Sequence, residues 1–356
     1  MIEIKNLVKI SKIAGERFDL VQAAGGNTSV KLKNDIMLIK ASGFLLSDMT
    51  VNDGFSKVNT KKITNILKNK KIKYEVNKRK RELLVKKLIE KATINKKNRP
   101  SIETLLHSTL YKYTLHTHPI VVNMIVVQKR WKEILLSIFK NEDIALIPYK
   151  TPGIELALEL DKVISASKKK PKIYFLQNHG LIISCNNSSD IPKLTELVLH
   201  KLEKFLNVDM YRYKLTNKIS KLLNKVEKNS NVIFLCEDKY LNEKISKNRK
   251  LFTQTPFCPD SLVFCGVRSI ILNNLTDSKV IRNYKNKYKE LPKVIIINKY
   301  IFFNSNSIKK ARETEEVMKF HIMVLEKNLN KKINFLESKE LSYLSSWEAE
   351  NFRKKI

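Results

Sequence analysis

Two histidine-containing segments place the strongest constraint on how this chain folds. The first, YTLHTHP, spans 113–119, and the second, FLQNHGLIIS, spans 175–184. The chain has 6 histidines, and three of them, His116, His118 and His179, lie in these segments. Alternate residues of a strand point to the same face, about 6.5–7 Å apart, so His116 and His118 present two imidazoles in one direction. The segments therefore predict a sheet with histidines at the ends of its strands.

The composition indicates a globular protein whose cysteines are reduced. At 356 residues the chain is long enough for one large domain or two ordinary ones, and 43% apolar residues can bury a core. The sequence has no run of about 18 uncharged apolar residues, so no transmembrane helix is predicted. Charged residues such as Glu3 and Lys5 replace the apolar core of a signal peptide, so we expect a cytoplasmic protein. The 4 cysteines form no CxxC pair and are expected to be reduced, mostly buried thiols.

The net charge of +33 raises the question of a nucleic-acid partner. Lysine is spread along the whole chain, and asparagine and isoleucine are abundant beside it, which favours a general compositional bias. No basic motif interleaved with aromatic residues, of the RNA-binding kinds, is present. We therefore expect no specific nucleic-acid partner, although weak, salt-sensitive binding is compatible with this charge.

Apolar periodicity and turn residues predict a mixed α/β unit followed by a second, smaller one. The first unit is expected to end near Thr216, the polar residues 217–230 to form a linker, and 231–356 to form the second unit. The predicted elements of the first unit are a helix over 2–18, a hairpin over 25–42, two amphipathic helices over 56–98, a helix from Arg99, a strand turning into a helix at Pro119, two strands hinged at 179–180, and a long helix over 191–215.

A possible internal repeat links the two units. The segments that begin at Pro171 and Pro292 both contain Pro-Lys, an apolar strand, a polar pair, a second apolar strand, a Ser/Asn turn and a long helix. The match extends over about 35 residues and predicts a duplicated unit. In this alignment Tyr300 stands where His179 stands, and the second half has no HxH. We therefore expect the second unit to be a degenerate copy that binds no metal.

The spacing of His116 and His118 suits a single zinc ion, which histidine nitrogens hold at about 2.0–2.1 Å. A third ligand must come from another part of the fold, and His179 is the strongest candidate. The fourth position could be filled by Glu103 or by water, and an open position would make the site catalytic rather than structural. The alternative is that His116 and His118 are ordinary polar residues at a strand end.

The remaining histidines of interest are expected to play supporting roles. His107 lies four residues after Glu103 on a predicted helix and shares its face, which favours packing or support of the site. His200 and His321 lie on long amphipathic helices, where a structural role is expected.

Five motifs, in order along the chain, resemble the class II aldolase/adducin family: AGGNTSVKL, IKASG, RPSIETLLH, LHTHP and QNHGLI. This family includes the zinc-dependent fuculose- and rhamnulose-phosphate aldolases and ribulose-phosphate 4-epimerase. The resemblance is dense over 1–216. The remainder, with TPFCPDSLVFCG and WEAENFRKKI, is more loosely similar to extended members, such as the aldolase half of bifunctional rhamnulose-phosphate aldolase/dehydrogenases.

The resemblance implies an α/β/α fold with a central, mainly antiparallel sheet, and a zinc ion held by three histidines. Glu103 matches the family's catalytic carboxylate, which can also touch the metal. Gly-containing turns and helix starts expose backbone N–H groups, which suits anion binding. The ligands carried over are His116, His118 and His179, and the positions that match the substrate-phosphate contacts are Asn27, Ser42, Gly43 and Ser101.

The sequence also departs from the family pattern. Ile102 replaces the second serine of a phosphate-binding Ser pair, and Ala24 stands where fuculose-phosphate aldolase has a threonine. Both changes weaken the expectation of a phosphorylated substrate. The interval between Glu103 and His116 is shorter than in that enzyme, and the tyrosine that donates a proton there, from a neighbouring subunit, has no counterpart.

The resemblance implies a zinc-dependent aldehyde-lyase that cleaves or forms a C–C bond in a sugar or sugar phosphate through a metal-stabilised enediolate. It also implies a homo-oligomer. The alternatives are a sugar-phosphate 4-epimerase on the same site and a non-catalytic, adducin-like scaffold. Glu103 favours the aldolase, because ribulose-phosphate epimerase typically has aspartate there, and the three histidines disfavour the scaffold, because adducins lack them.

Overall fold

The computed structural model describes residues 2–95, 97–228, 231–276 and 278–346. It divides into two compact units, 1–210 and 211–356. The boundary lies six residues before the expected Thr216, because the expected linker is helical as far as Val226 and this helix packs within the second unit. Within the described ranges, no helix combines the length and apolarity needed to cross a bilayer. The motif WEAENFRKKI, which contributed to the looser resemblance, lies outside the described residues.

The first unit alternates short strands and helices. Its strands are β1 (Asn27–Lys31), β2 (Ile36–Lys40), β3 (Phe55–Asn59), β4 (Tyr113–Thr117), β5 (Ile144–Ile147), β6 (Ile173–Leu176) and β7 (Gly180–Cys185). Its helices are α1 (Ile2–Gly15), α2 (Thr60–Lys68), α3 (Lys70–Tyr74), α4 (Lys78–Ala92), α5 (Thr104–Thr109), α6 (Ile120–Val126), α7 (Trp131–Ile138), α8 (Ile154–Ala166) and α9 (Asp190–Leu206).

The seven strands form one sheet in the order β3-β2-β1-β4-β7-β6-β5. All neighbours are antiparallel except β5 and β6, which are parallel. The expected hairpin is β1–β2, and its turn residues Asn34 and Asp35 both have positive φ, of 59° and 55°. This sheet confirms the predicted mainly antiparallel α/β architecture.

Helices cover both faces of this sheet, so the unit has three layers. One apolar core joins the sheet to α1, α6, α7 and α9, and a second joins the opposite face to α2, α4, α5 and α8. Side chains alternate between the two cores along each strand. In β4, for example, Leu115 belongs to the first core, and His116 therefore points to the face that carries α5.

Residues 56–98 were predicted to form two helices, and the structure differs from this prediction. The segment begins in edge strand β3, where Ser56 and Val58 are buried in alternation, and continues as three helices. The breaks fall at Asn69 and Asn77, whose side chains accept hydrogen bonds from the backbone of the following helix. Asparagine caps therefore divide what the apolar periodicity alone presents as continuous helices.

The second unit contains a four-stranded sheet in the order β8-β11-β10-β9. Its strands are β8 (Val232–Leu235), β9 (Ile270–Leu272), β10 (Val294–Ile297) and β11 (Tyr300–Ser305). Its helices are α10 (Tyr211–Val226), α11 (Lys239–Lys247), α12 (Pro259–Cys265), α13 (Lys279–Tyr288), α14 (Ile308–Lys327) and α15 (Ser338–Ser346), with a 3₁₀ helix at Arg249–Thr253. Helix α10 contacts β8 and α13, which explains the position of the boundary.

The second sheet repeats the topology of half of the first. The order β8-β11-β10-β9 matches β4-β7-β6-β5, with two antiparallel pairs followed by a parallel pair in each. The hairpins differ by one residue. Leu176 pairs with Gly180 across a three-residue loop, whereas Ile297 pairs with Tyr300 across a two-residue loop. Tyr300 therefore corresponds to Gly180, which corrects the alignment of Tyr300 with His179.

Candidate metal centre

Neighbouring strands bring the three predicted histidines to one edge of the first sheet. His116 lies in β4, and His118 directly follows this strand, just before Pro119 and α6. His179 lies in the loop between β6 and β7. Because β4 and β7 are antiparallel, with Thr117 opposite Leu181, the end of one strand meets the start of the other. The hairpin loop thus delivers His179 to the HxH pair.

The three imidazoles face one another through their Nε2 atoms. His116 Nε2 lies 3.1 Å from His118 Nε2 and 3.2 Å from His179 Nε2. One nitrogen from each ring lies within 4.8 Å of the others. Two nitrogens bound to a tetrahedral zinc ion at about 2.0–2.1 Å are separated by about 3.3–3.4 Å. The spacing therefore fits a single small divalent cation.

Glu103 borders two of these imidazoles. It immediately precedes α5, and its Oε1 lies 3.2 Å from His116 Nε2 and 3.6 Å from His179 Nε2. The carboxylate oxygen thus lies beside two of the three imidazoles, whereas the group whose ligand atoms all lie within 4.8 Å of one another consists of the three histidines. Three nitrogens and one carboxylate oxygen are a donor set suited to zinc and similar ions.

The electrostatics of the cluster favour a positive charge at its centre. Burial, and then the neighbouring His116, lowers the pKa of His118 to about 3 and that of His179 to about 4, so both rings are neutral at pH 7. Burial alone would raise the pKa of Glu103, but His116 and the other imidazoles hold it well below its usual value. Burial would likewise lower the pKa of His116, but Glu103 raises it. A proton on His116 or a metal ion would each place a positive charge beside the Glu103 carboxylate.

Backbone contacts fix the ring of His116. Its Nδ1 lies 3.0 Å from the Leu181 carbonyl oxygen, which can only accept a hydrogen bond. Nδ1 must therefore carry a hydrogen, and Nε2 is the nitrogen available to a metal. Such a contact from the second nitrogen is a common support for metal-binding histidines.

Two glycines make room for His118. A Cβ at Gly25 would lie 3.0 Å from His118 Nδ1, and a Cβ at Gly180 would lie 2.3 Å from the Thr117 carbonyl oxygen and 3.1 Å from His118 Cδ2. The glycines of the GGNTS and QNHG motifs thus allow close backbone approach on two sides of this ring.

A buried ion pair supports the segment that holds His118. Leu20 O accepts a hydrogen bond from His118 N, at 3.0 Å, and Asp19 O accepts one from Ile120 N, also at 3.0 Å. Arg17 is 1% exposed and binds the Asp19 carboxylate through Nε, at 3.0 Å, and through Nη2; it also binds Glu196 of α9. Sequence reasoning missed this contact, because nothing local distinguishes Arg17 from a surface arginine.

The predicted substrate residues surround the same edge. Asn27 is the first residue of β1, pairs with His116, and has a buried Oδ1 without a hydrogen-bond partner among the described residues. Ser42 N donates to Arg99 O, at 2.9 Å, so the turn after β2 contacts the segment before α5. Gly43 is exposed with a φ of 85°, and Ser101 Oγ accepts from Glu103 N at 3.3 Å. The Ser42–Gly43 turn and Ser101 thus both adjoin the segment that precedes α5, while Asn27 lies opposite His116.

Lys40 is a further candidate that sequence reasoning missed. It is the last residue of β2, is 3% exposed, and donates from Nζ to Ala24 O at 3.2 Å. Burial lowers its pKa, and Glu103 opposes this shift. Its position beside the Ser42–Gly43 turn, in IKASG, was the available clue, since a lysine at the end of a buried strand is unusual.

The other histidines differ in their environments. His107 is fully buried on α5, its Nδ1 lies 2.7 Å from Ser29 Oγ, and burial lowers its pKa to about 3. His321 is buried on α14. Its Nδ1 forms a hydrogen bond with Ser261 Oγ and its ring stacks on Phe257, which confirms a packing role. His200 is exposed on α9, so it packs in no core. All four cysteines are free, and three are buried, as expected.

Comparison with known protein families gives a match to the first unit. The model of the Class II Aldolase and Adducin N-terminal domain matches residues 5–196. A search of curated proteins found no match.

Solved structures of similar fold match just over half of the chain. The N-terminal class II aldolase domain of a conserved protein from Thermoplasma acidophilum is 24% identical, with a TM-score of 0.49, over 57% of this chain and 93% of that one. L-fuculose-1-phosphate aldolase from Thermus thermophilus is 14% identical, with a TM-score of 0.38, over 57% and 92%. A sugar-phosphate aldolase from Thermotoga maritima is 15% identical, with a TM-score of 0.40, over 57% and 94%.

Proposed function

Because the chain belongs to the class II aldolase and adducin family, we propose that it is a zinc-dependent aldehyde-lyase that breaks or forms a C–C bond in a sugar or sugar phosphate. The observation that supports this proposal is the convergence of His116, His118 and His179 on one point, with Glu103 Oε1 beside them. A purely structural role would not require a buried carboxylate next to three imidazoles at the edge of a sheet.

The three histidines would hold the metal through their Nε2 atoms, and the Glu103 carboxylate lies beside this site. When bound, the ion supplies Lewis acidity toward a carbonyl oxygen of the substrate. Glu103 is ionised, since its pKa lies well below the usual value. Its carboxylate can therefore accept a proton from the substrate and return it, as a general acid–base group does.

Other groups at this edge would bind and orient the substrate. Asn27 Oδ1 is buried without a partner among the described residues, so it can accept a hydrogen bond from a substrate hydroxyl. The Ser42–Gly43 turn and Ser101 offer donors to an anionic group, and Lys40 adds a positive charge nearby. This charge compensates in part for Ile102, which stands where the family has a second serine hydroxyl.

Metal analysis followed by a retro-aldol screen tests the proposal. Purified protein should contain about one zinc ion per chain and cleave a member of a panel of ketose phosphates and free ketoses. His118→Ala should lose stoichiometric metal and activity. His200→Ala is the matched control, because His200 is exposed on α9, and it should retain both. Full metal occupancy in His118→Ala would contradict the ligand assignment.

The same screen separates the alternatives. A 4-epimerase would interconvert two ketose phosphates without releasing an aldehyde, so product analysis distinguishes it from a lyase. A non-catalytic, adducin-like scaffold would show no turnover with any substrate, even with metal bound. Finding either result would replace the aldolase proposal.

A further inference from the structure

Strand β1 carries polar side chains on the face that supports α5. Asn27, Ser29 and Lys31 alternate along the strand, so they point to the same face. Ser29 Oγ lies 2.7 Å from His107 Nδ1, and Lys31 Nζ donates to the carbonyl oxygen of Ser108, at 2.7 Å, and to that of Leu110. Consecutive residues of this face thus contact the metal-site edge, the middle of α5 and its C-terminal end.

Helix α5 is positioned by these polar contacts together with apolar packing against α2 and α8. It has six residues, Thr104–Thr109, and a helix this short is not stable without tertiary packing. Glu103 immediately precedes it, and its side chain forms no capping hydrogen bond. His107 N donates to Glu103 O at 3.2 Å, so His107 lies in the same turn that holds the carboxylate. Fixing the ring of His107 therefore fixes the backbone of Glu103.

The same strand also pairs with the strand that carries His116. Asn27 pairs with His116 across the β1–β4 ladder, two residues before Ser29. Glu103 Oε1 lies 3.2 Å from His116 Nε2. Both groups are thus anchored to β1: Glu103 through α5, and His116 through β4. His107 is 0% exposed, and its Nε2 has no partner among the described residues, so Ser29 is the polar anchor of this ring.

We propose that Ser29 and His107 form a positioning pair, whose hydrogen bond holds the Glu103 carboxylate against the metal bound by the three histidines. This role rests on the metal centre proposed above. His107 would then do more than pack in the core. If its hydrogen bond to Ser29 is lost, His116, His118 and His179 still bind metal, but the Glu103 carboxylate no longer reaches it.

Cobalt-substituted full-length protein tests this role without a known substrate, because the visible absorption of Co²⁺ reports its ligands. Glu103→Gln provides the reference spectrum of a centre without the carboxylate. His107→Leu removes the ring nitrogens at similar volume, and Ser29→Ala removes only a hydroxyl. Both should bind stoichiometric Co²⁺ with spectra shifted toward that of Glu103→Gln. His107→Asn retains a polar atom near the position of Nδ1 and should retain the wild-type spectrum.

A matched control lies on the opposite face of the same strand. Thr28 Oγ1 lies 2.7 Å from Ser11 Oγ, and both side chains are buried. Ser11→Ala thus removes an equally short, buried hydrogen bond of β1 and should leave the Co²⁺ spectrum unchanged. Should His107→Leu fail to fold, Ser29→Ala alone makes the same comparison.

Four outcomes would overturn the proposal. In the first, Ser29→Ala and any folded His107→Leu variant retain the wild-type spectrum. In the second, Ser11→Ala shifts it as much as Ser29→Ala does, which would indicate a general disturbance of β1. In the third, Glu103→Gln does not change the spectrum, so the carboxylate is not at the metal. If the wild-type protein takes up no Co²⁺, the metal centre itself is wrong, and the positioning role is lost with it.

Discussion

Replacing Gly180 by alanine tests how the backbone between the ligands sets the metal centre. The added Cβ would lie 2.3 Å from the Thr117 carbonyl oxygen, whereas side-chain Cβ atoms essentially never come closer than 3.0 Å to such an atom. The two segments must therefore separate by at least about 0.7 Å, and overpacking of this kind lowers the free energy of unfolding by about 1–3 kcal/mol.

This separation also moves two proposed ligands apart. Thr117 precedes His118, and Gly180 follows His179. Metal–ligand distances tolerate deviations of about 0.2 Å, so a shift of about 0.7 Å is more than three times too large. We expect zinc affinity to fall about 10–100-fold, as it does when a supporting contact of a metal ligand is lost. Competition with a zinc-chelating dye measures this affinity, and urea denaturation measures the stability.

Gly54→Ala is the matched control for general destabilisation of the first unit. Gly54 has a φ of 90°, and a Cβ there would lie 3.0 Å from Met49 Cγ, so alanine is strained at this position as well. It contacts none of the three histidines and should leave zinc affinity unchanged. The geometric reasoning is refuted if Gly180→Ala binds zinc as tightly as the wild type, or if Gly54→Ala loses as much affinity.

Each of the remaining predictions concerns one charged group. Glu103→Gln should lower kcat about 10²–10⁴-fold with metal retained, because an amide cannot accept the proton; near wild-type kcat in steady-state assays would remove Glu103 from the mechanism. Arg17→Met leaves Asp19 buried without its cation and should lower the free energy of unfolding by about 3–5 kcal/mol in urea denaturation; an unchanged midpoint would contradict this. Protons released by zinc binding near pH 7 should come from His116, whose pKa is raised, because the other two imidazoles are already neutral. Affinity should therefore decrease as the pH falls below the His116 pKa, and calorimetry in buffers of different ionisation enthalpy would count two or three protons if this view were wrong.

The convergence of His116, His118 and His179 could be predicted because the information is local. His116 and His118 share a strand face through their spacing alone, and the apolar residues around His179 indicate a hairpin loop. Two such features at strand ends, in an order shared with a known family, suggest one site. The mixed helices and strands followed from the same local evidence, since their periodicities are visible within short windows, whereas the central, mainly antiparallel sheet was implied by the family resemblance.

Contacts across the layers could not be predicted in the same way. Ser29 and His107 are 78 residues apart, and neither residue has an unusual local environment in the sequence. Lys40 resembles any other lysine in a chain with 68 lysines and arginines, and beyond its place in IKASG only its burial distinguishes it. Such pairings depend on which strand and helix become neighbours, which a single sequence does not specify.

Pairing of the strands in the second unit shows which ligand positions of the first unit have a counterpart there. In the first unit His116 pairs with Ile182; at the same place in the second, Leu235 pairs with Phe302. The loop that carries His179 is one residue shorter in the second hairpin, so this ligand has no counterpart.

We propose on this basis that the second unit is a degenerate copy of strands β4–β7 and their helices. Its four strands keep the order and directions of the first sheet, and they keep apolar residues such as Phe303, because these bury a core. A ligand position has no such constraint once metal binding is lost, so leucine can replace histidine and a loop can shorten while the sheet persists. The fold of the copy was therefore preserved by packing, whereas the site depended on three residues that packing does not require.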